Sequence, residues 1–337
     1  MSHQESATLQ FGNACREMLK DASERIDRIM EIMHSTVSTS GSLMDNGIRS
    51  MIADLEGAAA EVRSSIDDRM STMDEVAYRW QIGETRSFLS VVNSVVLRAD
   101  ALNKAFSEAL DSGRKPVSGH RGMDAYLDGV EDGNVRRMMV LLSRNPKHDD
   151  LSLDELRELA ECRVDPSRKV NRRLITDTVE DIRASMTEEK VSPDVIEGVV
   201  GDGTSVSPLE MMDSATSEIM DERLRRSAVQ AIVKCISTRG FVVRKENIRH
   251  IRETDTVKIT AMKPGGQKAE FSIDLKGRFV YHFQGYEGSA CEKDISPLER
   301  DLEEIYGIRM TDRETLWVNP DKIKTQYHAE MKVRRDG

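Results

Sequence analysis

Residues 44–80 contain no proline and only two glycines, and this run constrains the chain more than any other feature. Apolar side chains recur along it at Met44, Ile48, Ile52, Leu55, Ala59, Val62, Ile66, Met70, Met73, Ala77 and Trp80. The steps are mostly alternating fours and threes, with extra fours. Strict alternation would give the heptad seam of a coiled coil, and extra fours shift the repeat toward eleven residues and a straighter pairing. Asp54, Glu56, Glu61, Arg63, Asp67, Asp68 and Arg69 fill the remaining faces. At 1.5 Å rise per residue the helix would be about 55 Å long. Similar periodicity predicts helices over 11–33, with Met18, Ala22, Ile26, Ile29 and Met33 on one face, and over 85–110. The Ser-, Thr- and Gly-rich segment 35–42 between the first two reads as a linker. A membrane-surface helix would need a basic polar face, and these faces are acidic. Residues 1–112 are therefore expected to form a coiled coil or helical bundle that sets shape and oligomerises.

Charge and aromatic content divide the chain further. The 337 residues carry 49 Lys and Arg against 59 Asp and Glu, and the acidity lies in the first two thirds. Nine of the fifteen aromatic residues follow position 220, which places the conventional core in the last third. No run approaches the ~18 apolar residues of a membrane span, and the first residues lack a signal-peptide pattern. Cys15, Cys162, Cys235 and Cys291 lie far apart, which suits neither a disulfide scaffold nor a zinc ribbon. A reduced cytoplasmic setting without cofactor or metal is expected.

Residues 113–206 read as a connecting region of short helices. Ser152-Leu153-Asp154-Glu155 is a capping box, 170–186 has helical period, and Ser192-Pro193 starts another helix. The glycines at 198, 201 and 203 do not make a phosphate loop, because no lysine follows at the required spacing and no buried strand precedes.

Residues 207–312 read as a small α+β domain. Ser207-Pro208-Leu209-Glu210 starts a helix that runs toward Arg239, with a break near Met220 allowed for, and Gly240 stops it. Strands are predicted at 241–245, 256–262, 268–275 and 278–284, forming an antiparallel meander. Val257, Ile259 and Ala261 share a face, as do Phe271, Ile273 and Leu275, and Phe279, Tyr281 and Phe283. Ser296-Pro297-Leu298-Glu299 repeats the capping signature and is expected to start a last helix, stopped by Gly307. Residues 313–337 read as a basic tail. The fold class is thus α+β: long N-terminal helices, a helical middle, and a meander flanked by helices.

The stretch 271–291, from Phe271-Ser-Ile-Asp-Leu-Lys-Gly277 through Gly285-Tyr-Glu-Gly288-Ser-Ala-Cys291, resembles a small bacterial and cyanobacterial domain family of uncharacterised function. That family has a β-hairpin, then Gly-x-x-Gly-x-x-Cys, then a helix, and its members are often encoded beside MoxR-type AAA+ ATPases. The resemblance covers about 40 residues, maps the motif onto Gly285, Gly288 and Cys291, and implies an accessory module of an ATPase-linked system.

Chemistry-bearing residues are sparse. Cys291 precedes a helix start, where dipole and N–H groups can activate a thiol, but Glu287, Glu292 and Asp294 oppose a thiolate, and a packing role is expected. His282 would be its nearest base in sequence. The seven histidines show no zinc-hydrolase spacing. Arg244, Lys245, Arg249, Arg252 and Lys258, with Arg334 and Arg335, could contact phosphate or a partner, although no aromatic platform of ribonucleoprotein type accompanies them. With no catalytic constellation recognisable, the sequence is expected to encode a non-enzymatic, homo-oligomeric adaptor or scaffold. Its C-terminal domain would bind a protein, an AAA+ ATPase by the resemblance. Nucleic-acid binding through the basic C-terminal third is the alternative.

Overall fold

The computed structural model describes residues 3–39, 46–76, 82–112, 120–201, 205–274, 276–287 and 290–318. They form two units. One comprises Glu17–Asp74 and Gly83–Ile219; the other draws on Met1–Arg16, Glu75–Ile82 and Met220–Gly337.

After a first strand, β1 (His3–Phe11), come three long helices, α1 (Gly12–Thr39), α2 (Asn46–Val76) and α3 (Ile82–Ser112). Helix α1 runs through the first residues of the expected linker at 35–42. There Thr36 Oγ1 donates to Ile32 O at 3.0 Å and Ser38 Oγ to Ser35 O at 2.7 Å, so the hydroxyls that favour a turn are satisfied within the helix. The apolar stripe of α2 is buried at Ile48, Ile52, Leu55, Ala59, Val62 and Ile66; Met44, Ala77 and Trp80 lie outside the described residues.

Short helices follow: α4 (Met123–Asp128), α5 (Gly133–Leu142) and α6 (Leu153–Val164). The Ser152 capping box at α6 forms as expected, with Glu155 N donating to Ser152 Oγ at 3.2 Å and Ser152 N to Glu155 Oε2 at 2.9 Å. The predicted helix at 170–186 begins later than its period suggested. Residues 170–171 form β2 (Val170–Asn171), Arg172–Ile175 a 3-10 turn, and α7 spans Thr176–Glu188. The reason is pairing: β2 meets β3 (Ser205–Val206) beyond α8 (Pro193–Val200), with Val170 opposite Val206. Met33, Ile52, Leu102 and Phe106 share one core with Met138, Leu156, Ile182 and Met211. The long and short helices therefore bury their apolar faces against each other within one chain. Arg163 crosses this unit to Asp177 at 2.6 Å.

Helix α9 (Pro208–Ser237) is unbroken at Met220 and ends at Gly240, whose φ of +78° fits the left-handed stop. The second unit then builds a six-stranded sheet in the order β4-β5-β6-β7-β1-β8, every neighbour antiparallel. Its strands are β4 (Ile248–Ile251), β5 (Thr256–Met262), β6 (Lys268–Asp274), β7 (Arg278–Gln284) and β8 (Ile308–Val318), with α10 (Glu292–Glu304) before the last. The meander is as the alternation predicted. Ile259, Ala261, Phe271, Ile273, Phe279, Tyr281 and Phe283 are all buried on one face, with ring centroids of Phe279 and Tyr281 at 5.5 Å and of Phe271 and Phe283 at 5.8 Å. The buried sides of α9 (Leu224, Ala228, Ile232, Ile236) and α10 (Ile295, Leu298, Leu302) belong with that face. Ion pairs Arg225–Asp255 at 2.8 Å, Lys276–Asp221 at 2.8 Å and Arg239–Asp301 at 2.7 Å tie these helices down.

Three expectations need correction here. The first predicted strand, 241–245, makes only a single bridge, Val242 to Met262, and the strand forms at 248–251 instead. Ser296 does not cap α10: the helix starts at Glu292 and Pro297 lies inside it. The extra first turn is pinned by tertiary contacts, with Cys291 and Ile295 buried and the Asp294 carboxylate receiving Lys263 Nζ and Tyr286 Oη. Third, residues 313–318, read as tail, are strand, paired to β1 through Glu314 opposite Ser6, Thr315 opposite Glu5 and Val318 opposite His3.

Candidate functional site

The Gly-x-x-Gly-x-x-Cys segment joins β7 to α10. Its geometry is that of a clasp. Gly285 has φ +79°, and a Cβ there would lie 3.1 Å from Gly266 O in the β5–β6 turn, so only glycine fits without displacement. The Tyr286 hydroxyl donates to Asp294 Oδ2 at 2.6 Å, and Lys263 Nζ donates to the same carboxylate at 2.7 and 2.9 Å while lying 4.7 Å from the Phe241 ring centroid. Burial and the Asp294 partner push the Tyr286 phenol up, keeping it neutral. Gly288 lies outside the described residues. Cys291 is 1% exposed, and burial together with the Glu292 charge raises its pKa, the reverse of an activated thiol. Burial likewise pushes Cys162 to about 12 and Cys235 to about 11.

A polar cluster absent from the sequence reading lies beneath α10. Tyr281 is fully buried, and its hydroxyl is 2.9 Å from both Glu5 Oε2 of β1 and Glu299 Oε1 of α10. Arg313 of β8 reaches Glu299 at 2.6 Å and pairs with Glu5 as well. Burial alone would raise the Glu5 pKa, but hydrogen bonds from Arg313, His3 and Tyr281 outweigh it and hold the carboxyl below its ordinary range. Burial and the two carboxylates push the Tyr281 phenol far up. A groove of 490 Å³ above the cluster is lined by Ser296, Glu299, Arg300, Glu303, Met310 and Arg313. Its charges already pair internally, Arg309 with Glu303 at 2.6 Å included, so the cluster reads as a latch joining β1, β7, β8 and α10. The signal for β1 was present: Ala7 and Leu9 alternate with Ser6 and Thr8.

The basic residues give a different picture. Arg244, Lys245, Arg249, Arg252 and Lys258 are all exposed and all lie on or beside β4, the terminal strand of the sheet. Arg249 and Lys258 are register partners. Arg244 and Lys245 precede the strand, and Arg252 follows it. None of the five makes an ion pair among the described residues, whereas Arg225, Arg239, Lys263, Lys276, Arg309 and Arg313 all sit against carboxylates. Arg249 Nε donates only to the Glu246 carbonyl, at 3.1 Å. Glu246 and Glu253 are the exposed acids on the same segment. Three apolar side chains are exposed on this part of the sheet: Met262 (50%) on the open face with Lys258, Val242 (55%) bridged to Met262, and Ile248 (36%) on the other face, opposite Ile259. Even-numbered positions of β5 and β6 place Lys258, Met262 and Ser272 on the face opposite the buried aromatics. Phe271, Phe279, Tyr281 and Phe283 are all on the covered face, and His282 alternates onto the open one. Arg334 and Arg335 lie outside the described residues.

Among the described residues no group of three or more His, Cys, Asp and Glu is arranged to hold a metal ion, and no helix is long and apolar enough to cross a membrane. The basic, apolar edge at β4 and β5 is the feature whose chemistry is left open by the fold. Comparison with known proteins adds no relative to this picture: no family model, no curated protein and no solved structure matches the chain.

Proposed function

We propose that this chain is a non-enzymatic adaptor subunit of a bacterial, cytoplasmic multi-protein system, and that its α+β unit takes a protein partner at the β4–β5 edge. One observation carries the reading: Val242 and Met262 are exposed on the edge that carries five cations, Ile248 is exposed on its other face, and none of the five makes an ion pair among the described residues. Exposed apolar side chains cost solvation, and grouped with charge they suit a protein interface with an apolar centre and polar rim. The resemblance of residues 271–291 points to an AAA+ ATPase as the partner. In this reading the long helices also pair between copies as a coiled coil, for which Ile32 of α1 and Val91 of α3 are exposed apolar contacts.

The same cations would serve a nucleic acid, but single strands are held largely by stacking on aromatic side chains, and Phe271, Phe279, Tyr281 and Phe283 all lie on the covered face. The test is a photo-crosslinking amino acid placed at Met262 of the full-length chain in native extract, with and without nuclease. A discrete protein adduct that survives nuclease is expected. Adducts to nucleic acid alone, or none, would overturn the reading. Sedimentation of the full chain as a monomer would remove the oligomer.

A further inference from the structure

The β4 edge has a polarity that narrows what can lie on it. β4 is the terminal strand, paired on one side only, to β5. A terminal strand presents unpaired N–H and C=O groups to any extended segment that reaches it. Register with β5 divides its side chains. Arg249 faces the open side with Lys258, while Ile248 lies opposite the buried Ile259 and faces the helix-covered side. His250 is turned to Asp255, 2.5 Å away. Cations flank both ends of the strand, Lys245 before it and Arg252 after it. Two copies of this edge would bring like charges together, which costs free energy and discourages β4–β4 pairing. An acidic segment meets the opposite condition.

Resting on the reading of this edge as a protein-binding surface, we infer that its occupant is an acidic, extended segment of a partner protein that adds as a strand beside β4, with acidic and apolar side chains alternating. Period two follows from the pleat. Side chains on the open face lie beside Arg249 and Lys258 and are carboxylates. Those on the other face lie beside Ile248 and are aliphatic. The main-chain ladder supplies attachment that does not depend on the segment's sequence, and the charges supply selection and a fast, salt-sensitive encounter.

The test uses the full-length chain and three fluorescent probes: an eight-residue peptide alternating Glu and Val, the same composition with the glutamates and valines in two blocks, and a twelve-nucleotide single-stranded DNA. The alternating peptide is expected to bind, to weaken as salt rises, and to lose about tenfold or more in affinity in the double variant Arg249→Glu, Lys258→Glu. The block peptide is expected to bind more weakly. Ile248→Asp should weaken the alternating peptide while leaving any DNA signal unchanged, and unchanged circular dichroism in each variant shows that the fold is kept. Failure of the alternating peptide, equal binding of the block peptide, or indifference to the double reversal would overturn the inference. Binding of the DNA alone would overturn both it and the protein-binding reading. A protein adduct at Met262 with no peptide binding would leave that reading standing and end this one.

Discussion

Replacing Arg313 with methionine should loosen β1 from the sheet, and by an amount that depends on pH. Arg313 pairs with Glu5 and Glu299, and Glu5 is 5% exposed. Breaking a buried pair costs about 3–5 kcal/mol, because the partner charge stays buried and unpaired. Arg313 itself is 44% exposed on its side chain, so solvent screens the pair and about 2 kcal/mol is the better figure. The sign with pH follows from Glu5. Its carboxyl is held below the ordinary range by Arg313, His3 and Tyr281 against the opposing effect of burial, so its contribution is present above the unfolded pKa and fades as pH falls through the folded one. With Arg313 gone, burial dominates and the Glu5 pKa rises. Protonation then relieves the variant at mildly acid pH, and the gap to wild type should be widest near neutrality and shrink toward about pH 4. Native-state hydrogen exchange on the peptide covering His3–Phe11 reads this locally, without assuming that two units unfold together. A loss of about 2 kcal/mol corresponds to roughly thirtyfold lower protection. A gap under about 0.5 kcal/mol, or one that does not change with pH, would refute the latch.

Other substitutions probe the remaining arguments. Gly285→Ala should destabilise by about 1–2 kcal/mol and by more than Gly240→Ala, since both have positive φ but only Gly285 meets backbone close by; equal thermal shifts would contradict the clasp. Phe271→Ala should cost about 3–5 kcal/mol in denaturant melts of the second unit, and a loss below 1 kcal/mol would mean the aromatic face is not packed. Ser152→Ala should cost about 1 kcal/mol in the helical unit through its lost cap. Cys15, Cys162, Cys235 and Cys291 are all buried, so maleimide should label none of them at neutral pH until denaturant is added. Rapid native labelling of Cys291 would return a nucleophilic role to consideration.

Local signals in the sequence gave much of the fold. Period-two alternation located β5, β6 and β7 because one face of each is fully covered. Helical period located α2 and α3 because their stripes are long. The Ser152 box and Gly240 are backbone devices that act within a few residues. What stayed hidden depends on distant partners. β1 carries a short alternation at Ser6–Leu9, but its place between β7 and β8 is not local information. The start of α10 is set by Lys263 and Tyr286 and not by the capping letters at Ser296. β2 is a strand because Val206 returns to it. For the candidate site, the sequence named the five cations but not what distinguishes them. That they make no ion pair among the described residues, while Arg225, Arg239, Lys263, Lys276, Arg309 and Arg313 do, and that Val242, Ile248 and Met262 are exposed near them, follow only from the folded chain.

The position of β1 has a consequence for how the molecule is made. It lies between β7 and β8, so its two neighbours are residues 278–284 and 308–318. During synthesis the first strand leaves the ribosome long before either neighbour exists. The helical unit can close as its last residues emerge, whereas this sheet must wait until residues 308–318 have emerged, and contacts of such long sequence separation form slowly. A fragment beginning at α9 would keep the helix that is tied to the sheet and carry β7 and β8 with a gap between them. Supplying the missing strand as a separate peptide should restore the sheet, which makes the N-terminal segment a natural cut point for a split protein.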